Sequence, residues 1–199
     1  CLEAINAGAA TVPRDADLFF VGEMGIANTT PAAALSACCF GGDAMDWVGR
    51  GSGIDDAALA RKIKAVNSAL AKHASYCDSP FETLRRLGGR EIAAMAGAIL
   101  ASRMQHIPML LDGFICCAAI APLAAAAPAI THHCLAAHCS AEGAHSRLLE
   151  HLGLDPLLHL EMRLGEGSGA AVAVQIVRSA LAAHNEMATF TEASVASAL

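Results

Sequence analysis

No apolar run in this chain reaches the ~18 residues a membrane span requires, because Pro, Gly, His or a charge cuts each one short. A soluble protein is expected. Basic residues are few, with 13 Lys and Arg against 19 Asp and Glu, giving a formal charge of -6 and a pI near 5.8. They are spread along the chain, which excludes the electrostatic footprint of a nucleic-acid or anionic-membrane binder. A small anionic ligand would need local positive potential. CxxC spacing is missing among the eight cysteines, and a protein without a secretory leader is expected. Reduced thiols serving as small core residues in a cytoplasmic protein are expected. The Lys-Ser/Thr ending of a P-loop, the dinucleotide glycine fingerprint, HExxH and the GxSxG elbow are all missing, which leaves triphosphate, NAD, zinc and Ser-nucleophile chemistry without support. Repeats, low-complexity tracts and linkers are absent too.

What is present is an alanine-rich chain, 55% hydrophobic and 16% charged with a mean hydropathy of +0.45, able to bury one sizeable core. A single α/β domain over residues 1–199 is expected, with 170–199 contributing to a helical subdomain. The start, Cys1 followed by Leu2-Glu3-Ala4-Ile5, reads as mid-helix, as in the later part of something longer. That helix fades near Gly8. Asp17 to Gly22 is a short apolar run ended by glycine, the pattern of a strand buried on both faces. A helix follows, capped by Thr29 or Thr30 with Pro31 in its first turn, and stops at Gly41-Gly42. Arg50 to Gly53 reads as a second loop. Leu59, Ile63, Val66 and Leu70 then stripe a helix that starts at Asp55-Asp56, with Lys62 and Lys64 off the stripe. Further helices are expected from Pro80 to Gly88, Glu91 to Ser102 and Phe114 to Ala127, the last interrupted by Pro122. Strands are expected at Ile107 to Gly113 and Cys134 to His138. Ser140-Ala141-Glu142 resembles a cap before a helix through His151, Ala170 to Ala183 is helical, and a terminal helix is expected after Glu186.

Two glycine-punctuated stretches carry the chemistry: Gly22 to Ala34 (GEMGIANTTPAAA) and Arg163 to Ala170 (RLGEGSGA). Each sets a carboxylate, Glu23 or Glu166, in a flexible turn that opens a helix. Backbone amides at a helix start attract phosphate through their donors and the positive end of the dipole. A carboxylate partly withdrawn from water there is a base with its pKa drawn toward working pH. A phosphorylated substrate beside a carboxylate base is the reading, provided the loops converge at the carboxyl ends of the strands.

At these residues the chain resembles the nicotinate-mononucleotide:dimethylbenzimidazole phosphoribosyltransferases of cobalamin nucleotide-loop assembly. The resemblance rests on Gly22 to Ala34, Val48 to Gly51, Leu87-Gly88-Gly89, Leu110 to Phe114 (LLDGF), Ala137 to Glu142 (AHCSAE) and Arg163 to Ala171, in the family's order and approximate spacing. It implies a Rossmann-like parallel sheet flanked by helices, with a helical C-terminal part. It also implies transfer of the phosphoribosyl group of nicotinate mononucleotide to 5,6-dimethylbenzimidazole, giving α-ribazole 5′-phosphate and nicotinate. On this resemblance Glu166 matches the general base and Glu23 a second active-site carboxylate. Gly25 with Asn28, Thr29 and Thr30, Lys62, Ser140, Gly165 and Gly167 match positions around the nucleotide, with Asp112 and Gly113 at a neighbouring strand end. No cofactor or metal is implied, and the family forms homodimers. It also carries a long segment ahead of the Gly22 loop, where here only Cys1 to Val21 precede it, so an N-terminal portion of the family fold is expected to be absent. That leaves a second reading open: a non-catalytic module binding a nucleoside monophosphate.

Overall fold

The computed structural model describes residues 1–49 and 53–195. The expected Arg50 to Gly53 loop and the Val48 to Gly51 motif thus lie largely outside the described residues. The centre is a four-stranded, all-parallel sheet of β1 (Phe19–Phe20), β2 (Met109–Leu111), β3 (Cys134–His138) and β4 (Pro156–Leu158), paired in that order. Its register sets Phe19 beside Met109, Leu110 beside Leu135 and Ala136 beside Pro156. Nine α-helices occur among the described residues: α1 (Leu2–Ala9), α2 (Thr29–Phe40), α3 (Ala44–Trp47), α4 (Asp56–His73), α5 (Pro80–Leu87), α6 (Arg90–Met104), α7 (Phe114–Ala126), α8 (Gly143–Leu152) and α9 (Ser168–Glu186).

Strand periodicity divides the core into two layers. Met109, Leu111, Cys134 and Ala136 point to one face, where α2, α6, α7 and α8 cover them with Leu35, Ile92, Ile99, Ile120 and Leu148. Leu110 and Ala137 point the other way and meet Ala170 and Ala173 of α9, with Phe20, Leu158 and Val177 around them. Burial on both faces is what a parallel sheet requires, and it explains why β2 reads as uninterrupted Met-Leu-Leu instead of alternating. Cys116, Cys117 and Cys134 are buried in the main layer and Cys38, Cys39 and Cys77 pack against it, all as free thiols. Burial pushes the thiols of Cys39, Cys116 and Cys134 up to about 12, so they pack as small apolar groups.

Alanine and glycine make this packing possible. A Cβ on Gly97 of α6 would sit 2.0 Å from the Ile5 carbonyl oxygen, and one on Gly8 of α1 would sit 1.8 Å from that of Ala94. The two helices therefore touch backbone to backbone, and the start of the chain is held on the domain.

Several elements differ from the sequence reading. Asn28, not Thr29 or Thr30, is the residue before α2; it is already helical, and its side chain donates to Glu23 instead of capping the helix. No helix follows α9 within residues 187–195: Thr189 donates its N–H and hydroxyl to Glu192 Oε2 at 2.8 and 2.9 Å, closing a turn whose Met187, Phe190 and Val195 stay exposed. The residue before α8 is Glu142, and Ser140 is engaged by His145. β4 and α3 were not anticipated, since three or four residues carry no readable period. α9 packs its first half on the sheet and leaves the rest exposed.

Substituting Gly97→Ala should cost about 2–3 kcal/mol, because both clashing groups are backbone and cannot rotate away. In thermal unfolding the midpoint should drop by roughly 4–12 °C; an unchanged midpoint would mean that the α1–α6 contact is not close.

Candidate active site

Every functional loop leaves the sheet at the carboxyl ends of its strands, where ligands of open α/β sheets bind. After β1 the chain turns through Gly22 and Glu23; after β2 come Asp112 and Gly113; β3 ends at His138, followed by Ser140 and Glu142. The segment between β4 and α9 supplies Arg163, Leu164 and Gly165. All of these except Gly22 line a cleft of about 310 Å³.

Asp112 organises the far wall. It is 1% exposed, yet its carboxylate is satisfied: Oδ1 accepts the Ala170 N–H at 2.8 Å and Oδ2 the Gly167 N–H at 3.2 Å. The residue before α9 is Gly167, with φ +77 and no side chain to cap the helix. Ala170 occupies the third helical position, whose N–H a capping side chain ordinarily takes. Asp112 therefore caps α9 from another strand, and the helix dipole favours its charge.

The two carboxylate loops do converge. Glu166 N–H donates to the Glu23 carbonyl at 3.1 Å, and a Cβ on Gly22 would lie 2.4 Å from the Glu166 carbonyl carbon, so the turns pack backbone against backbone. Glu166 itself has φ +60 and an exposed side chain, and it stands outside the cleft lining. The Glu23 carboxylate is turned inward, accepting from the Gly25 N–H at 3.2 Å and from the Asn28 side-chain amide.

Of the other expected residues, Gly25, Asn28, Thr29, Asp112, Gly113, Ser140 and Gly165 line the cleft, whereas Thr30, Lys62 and Gly167 do not. Lys62 stands behind it. Its Nζ donates to the Gly49 carbonyl at 2.9 Å and lies 3.9 Å from Glu142 Oε1, and Glu142 does line the cleft. Burial lowers the lysine's pKa and Glu142 pulls it back up. Lining residues that the sequence reading did not single out include Arg163, His138, Glu142 and Phe114. All four lay inside the quoted motifs, but a motif does not say which of its side chains turn inward.

Beneath the cleft, His145 is fully buried. Its Nδ1 accepts the Ser140 N–H at 2.9 Å, so its proton sits on Nε2, 3.3 Å from Cys117 Sγ. Burial, and next the neighbouring His138, push its pKa down to about 3. Among the described residues no group of three or more His, Cys, Asp or Glu is arranged to hold a metal ion, and no helix is long and apolar enough to cross a membrane.

A parallel α/β sheet with an acid-lined cleft at its strand ends, fed by two glycine-rich helix starts, is the architecture of a small-molecule enzyme. The family model described as Phosphoribosyltransferase matches residues 1–195. A nicotinate-nucleotide–dimethylbenzimidazole phosphoribosyltransferase of Novosphingobium aromaticivorans is 63% identical over 199 residues, covering 100% of this chain and 59% of the relative. One of the same name from Methylocella silvestris is 57% identical, covering 98% of this chain and 55% of the relative. The crystal structure of CobT from Thermus thermophilus superposes with a TM-score of 0.90 at 40% identity, covering 99% of this chain and 59% of that one. The chain belongs to the nicotinate-nucleotide–dimethylbenzimidazole phosphoribosyltransferase family, and it spans 59% of the length of the first of these relatives.

The buried polar groups can be probed through stability. Asp112→Asn presents an amide N–H to one of the two backbone donors and should destabilise the fold by about 2–3 kcal/mol, read as a lower urea midpoint at an unchanged slope. For His145, the unfolded chain takes up a proton near pH 6.5 that the native site refuses until about pH 3. Stability should therefore fall as pH drops through that window, by up to about 1.4 kcal/mol per pH unit. His145→Asn, which keeps an acceptor for Ser140, should flatten the fall between pH 6.5 and 4.5; an equal slope in both proteins would show that His145 is not the group responsible.

Proposed function

We propose that the protein to which this chain belongs transfers the phosphoribosyl group of nicotinate mononucleotide to 5,6-dimethylbenzimidazole, yielding α-ribazole 5′-phosphate and nicotinate. The observation that carries this reading is the meeting of the Gly22–Asn28 and Arg163–Gly167 turns around an acid-lined cleft, in a chain so similar to enzymes of that name. Relatives of 53–63% identity bear the enzyme's name, which gives the non-catalytic alternative no support.

In this reading the sugar phosphate lies against the helix-start backbone at Gly25, Asn28, Thr29 and Thr30, near Ser140 and the Arg163 guanidinium. Lys62 acts from behind, neutralising Glu142 so that the cleft does not repel a dianion. Glu166, at the rim beside Gly165 and Gly167, removes the proton from one azole nitrogen while the other attacks the ribose C1′. The C1′–nitrogen bond to nicotinate breaks, and its electron pair leaves with nicotinate. Glu23 is held in the cleft by Gly25 and Asn28, placed to stabilise positive charge developing on the ribose. Asp112, whose oxygens both face α9, positions the loop and keeps Gly113 at the cleft floor. The reaction needs no cofactor.

The reading extends to a cytoplasmic homodimer. Free thiols suit a reducing compartment, and Val172 and Ile176 leave apolar surface on α9, 43% and 47% exposed, that a second chain would cover. Replacing Glu166 by Gln should lower kcat by about 10²- to 10⁴-fold, with KM for the mononucleotide nearly unchanged, when nicotinate release is followed. A loss of only a few-fold would remove Glu166 from the role of base.

A further inference from the structure

The sheet has a second concavity at its other end, bounded by residues just before β2 and at the start of β3. Arg103, His106, Pro108, His132, His133 and Leu135 enclose about 370 Å³. Strands of three to five residues put it on the order of 15 Å from the cleft. Its lining contains a guanidinium and three imidazoles but no carboxylate, in a chain of formal charge -6. Among the described residues Arg103 has no acidic partner. An unneutralised guanidinium in an acidic protein, with three imidazoles beside it as hydrogen-bond donors, is a source of the local positive potential that a small anion needs.

Two details show that the pocket is shaped for its basic groups. His106 has φ +60 and closes α6 in a left-handed turn, its N–H bonding the Arg103 carbonyl at 3.2 Å while Ile107 N–H bonds that of Ser102 at 2.9 Å. Glycine is the easy residue in that position, and here an imidazole is held instead. The same two bonds occupy carbonyls at the negative end of α6 that would otherwise repel an anion. His133, secondly, has carbonyl oxygens against both ring nitrogens, Ile130 O at 3.0 Å from Nδ1 and Ile99 O at 3.1 Å from Nε2. A neutral ring has one N–H and can satisfy only one of them; an imidazolium satisfies both. Against that second proton stand burial first and, more weakly, Arg103. Cys134 Sγ also lies 3.6 Å from Nδ1 and 3.7 Å from Nε2, and His106 and His132 line the same pocket.

We infer that this pocket binds a small tetrahedral dianion, free phosphate or the phosphate of a small ester, on Arg103 with His106 and His132, and that filling it draws a proton onto His133. The guanidinium fork matches two oxygens of such an ion, and the imidazoles reach the others. A bound dianion cancels the repulsion between Arg103 and a charged His133, so that both carbonyls of Ile99 and Ile130 become paired and α6 is tied more firmly to the turn before β3. The space exceeds that of a bare phosphate, which leaves room for a short organic substituent.

Histidine ring NMR on the whole chain tests this, with inorganic phosphate and glycerol phosphate as probes at matched ionic strength. The signals of His106, His132 and His133 should shift together and saturate at a concentration on the order of 1 mM. Arg103→Gln should weaken that saturation by roughly tenfold or more, and His132→Ala should weaken it too if Arg103→Gln proves unstable. Sulfate, whose charge does not change over the range, should bind about tenfold more tightly at pH 6 than at pH 8 if one proton is taken up. Shifts reproduced by potassium chloride alone, or an Arg103→Gln protein that saturates like the parent, would overturn the site. Equal sulfate affinity at the two pH values would overturn the link to His133. The signals of His138 and His145 report the cleft separately, so failure here is distinguishable from failure of the transferase reading.

Discussion

One buried carboxylate holds the cleft together. Asp112 stands at the end of β2, where the chain leaves the sheet, and accepts the Gly167 and Ala170 amides that open α9. A charge so enclosed would be ruinous without partners, and helix-start amides are partners of the right sign and direction. Through this contact the last helix is anchored to the second strand. The Gly165–Gly167 turn is thereby brought against the β1 loop, where Glu166 and Glu23 share a backbone bond.

Around that anchor the charges are arranged in pairs and layers. Glu23 is held by an amide N–H and a side-chain amide, and among the described residues no cation is bonded to it, which leaves its carboxylate available to a ligand. Glu142 is balanced by Lys62 from behind, and Arg163 stands at the mouth of the cleft. The neutral His145 beneath keeps Ser140 in place through its backbone N–H, and its burial from water is the reason it stays neutral.

Close packing is what lets so small a sheet carry these loops. The face toward α2, α6, α7 and α8 is filled by alanines, thiols and a few branched residues with almost no exposure, while the opposite face is covered by α9, whose outer side keeps apolar residues in water. Short strands tolerate this because helices, not ladder bonds, supply most of the buried area.

The amino-acid sequence by itself determined the order and type of the longer elements, since α4, α6, α7 and β3 are long enough for period and punctuation to show. It also marked Glu23 and Glu166, in the two glycine-rich turns, as candidates for chemistry, because an acid in such a turn contributes little to a core; Asp112 and Ser140 entered only through the family resemblance. It did not reveal β4 or the turn after α9, whose few residues obey contacts with distant segments. Only the tertiary structure decided that Asp112 caps a helix 58 residues away, that Lys62 faces Glu142 while Arg163 and His138 line the cleft, and that Glu166 stays at the rim. Those outcomes depend on which side chains meet across the sheet, and spacing along a chain carries no information about a neighbour brought in from another strand.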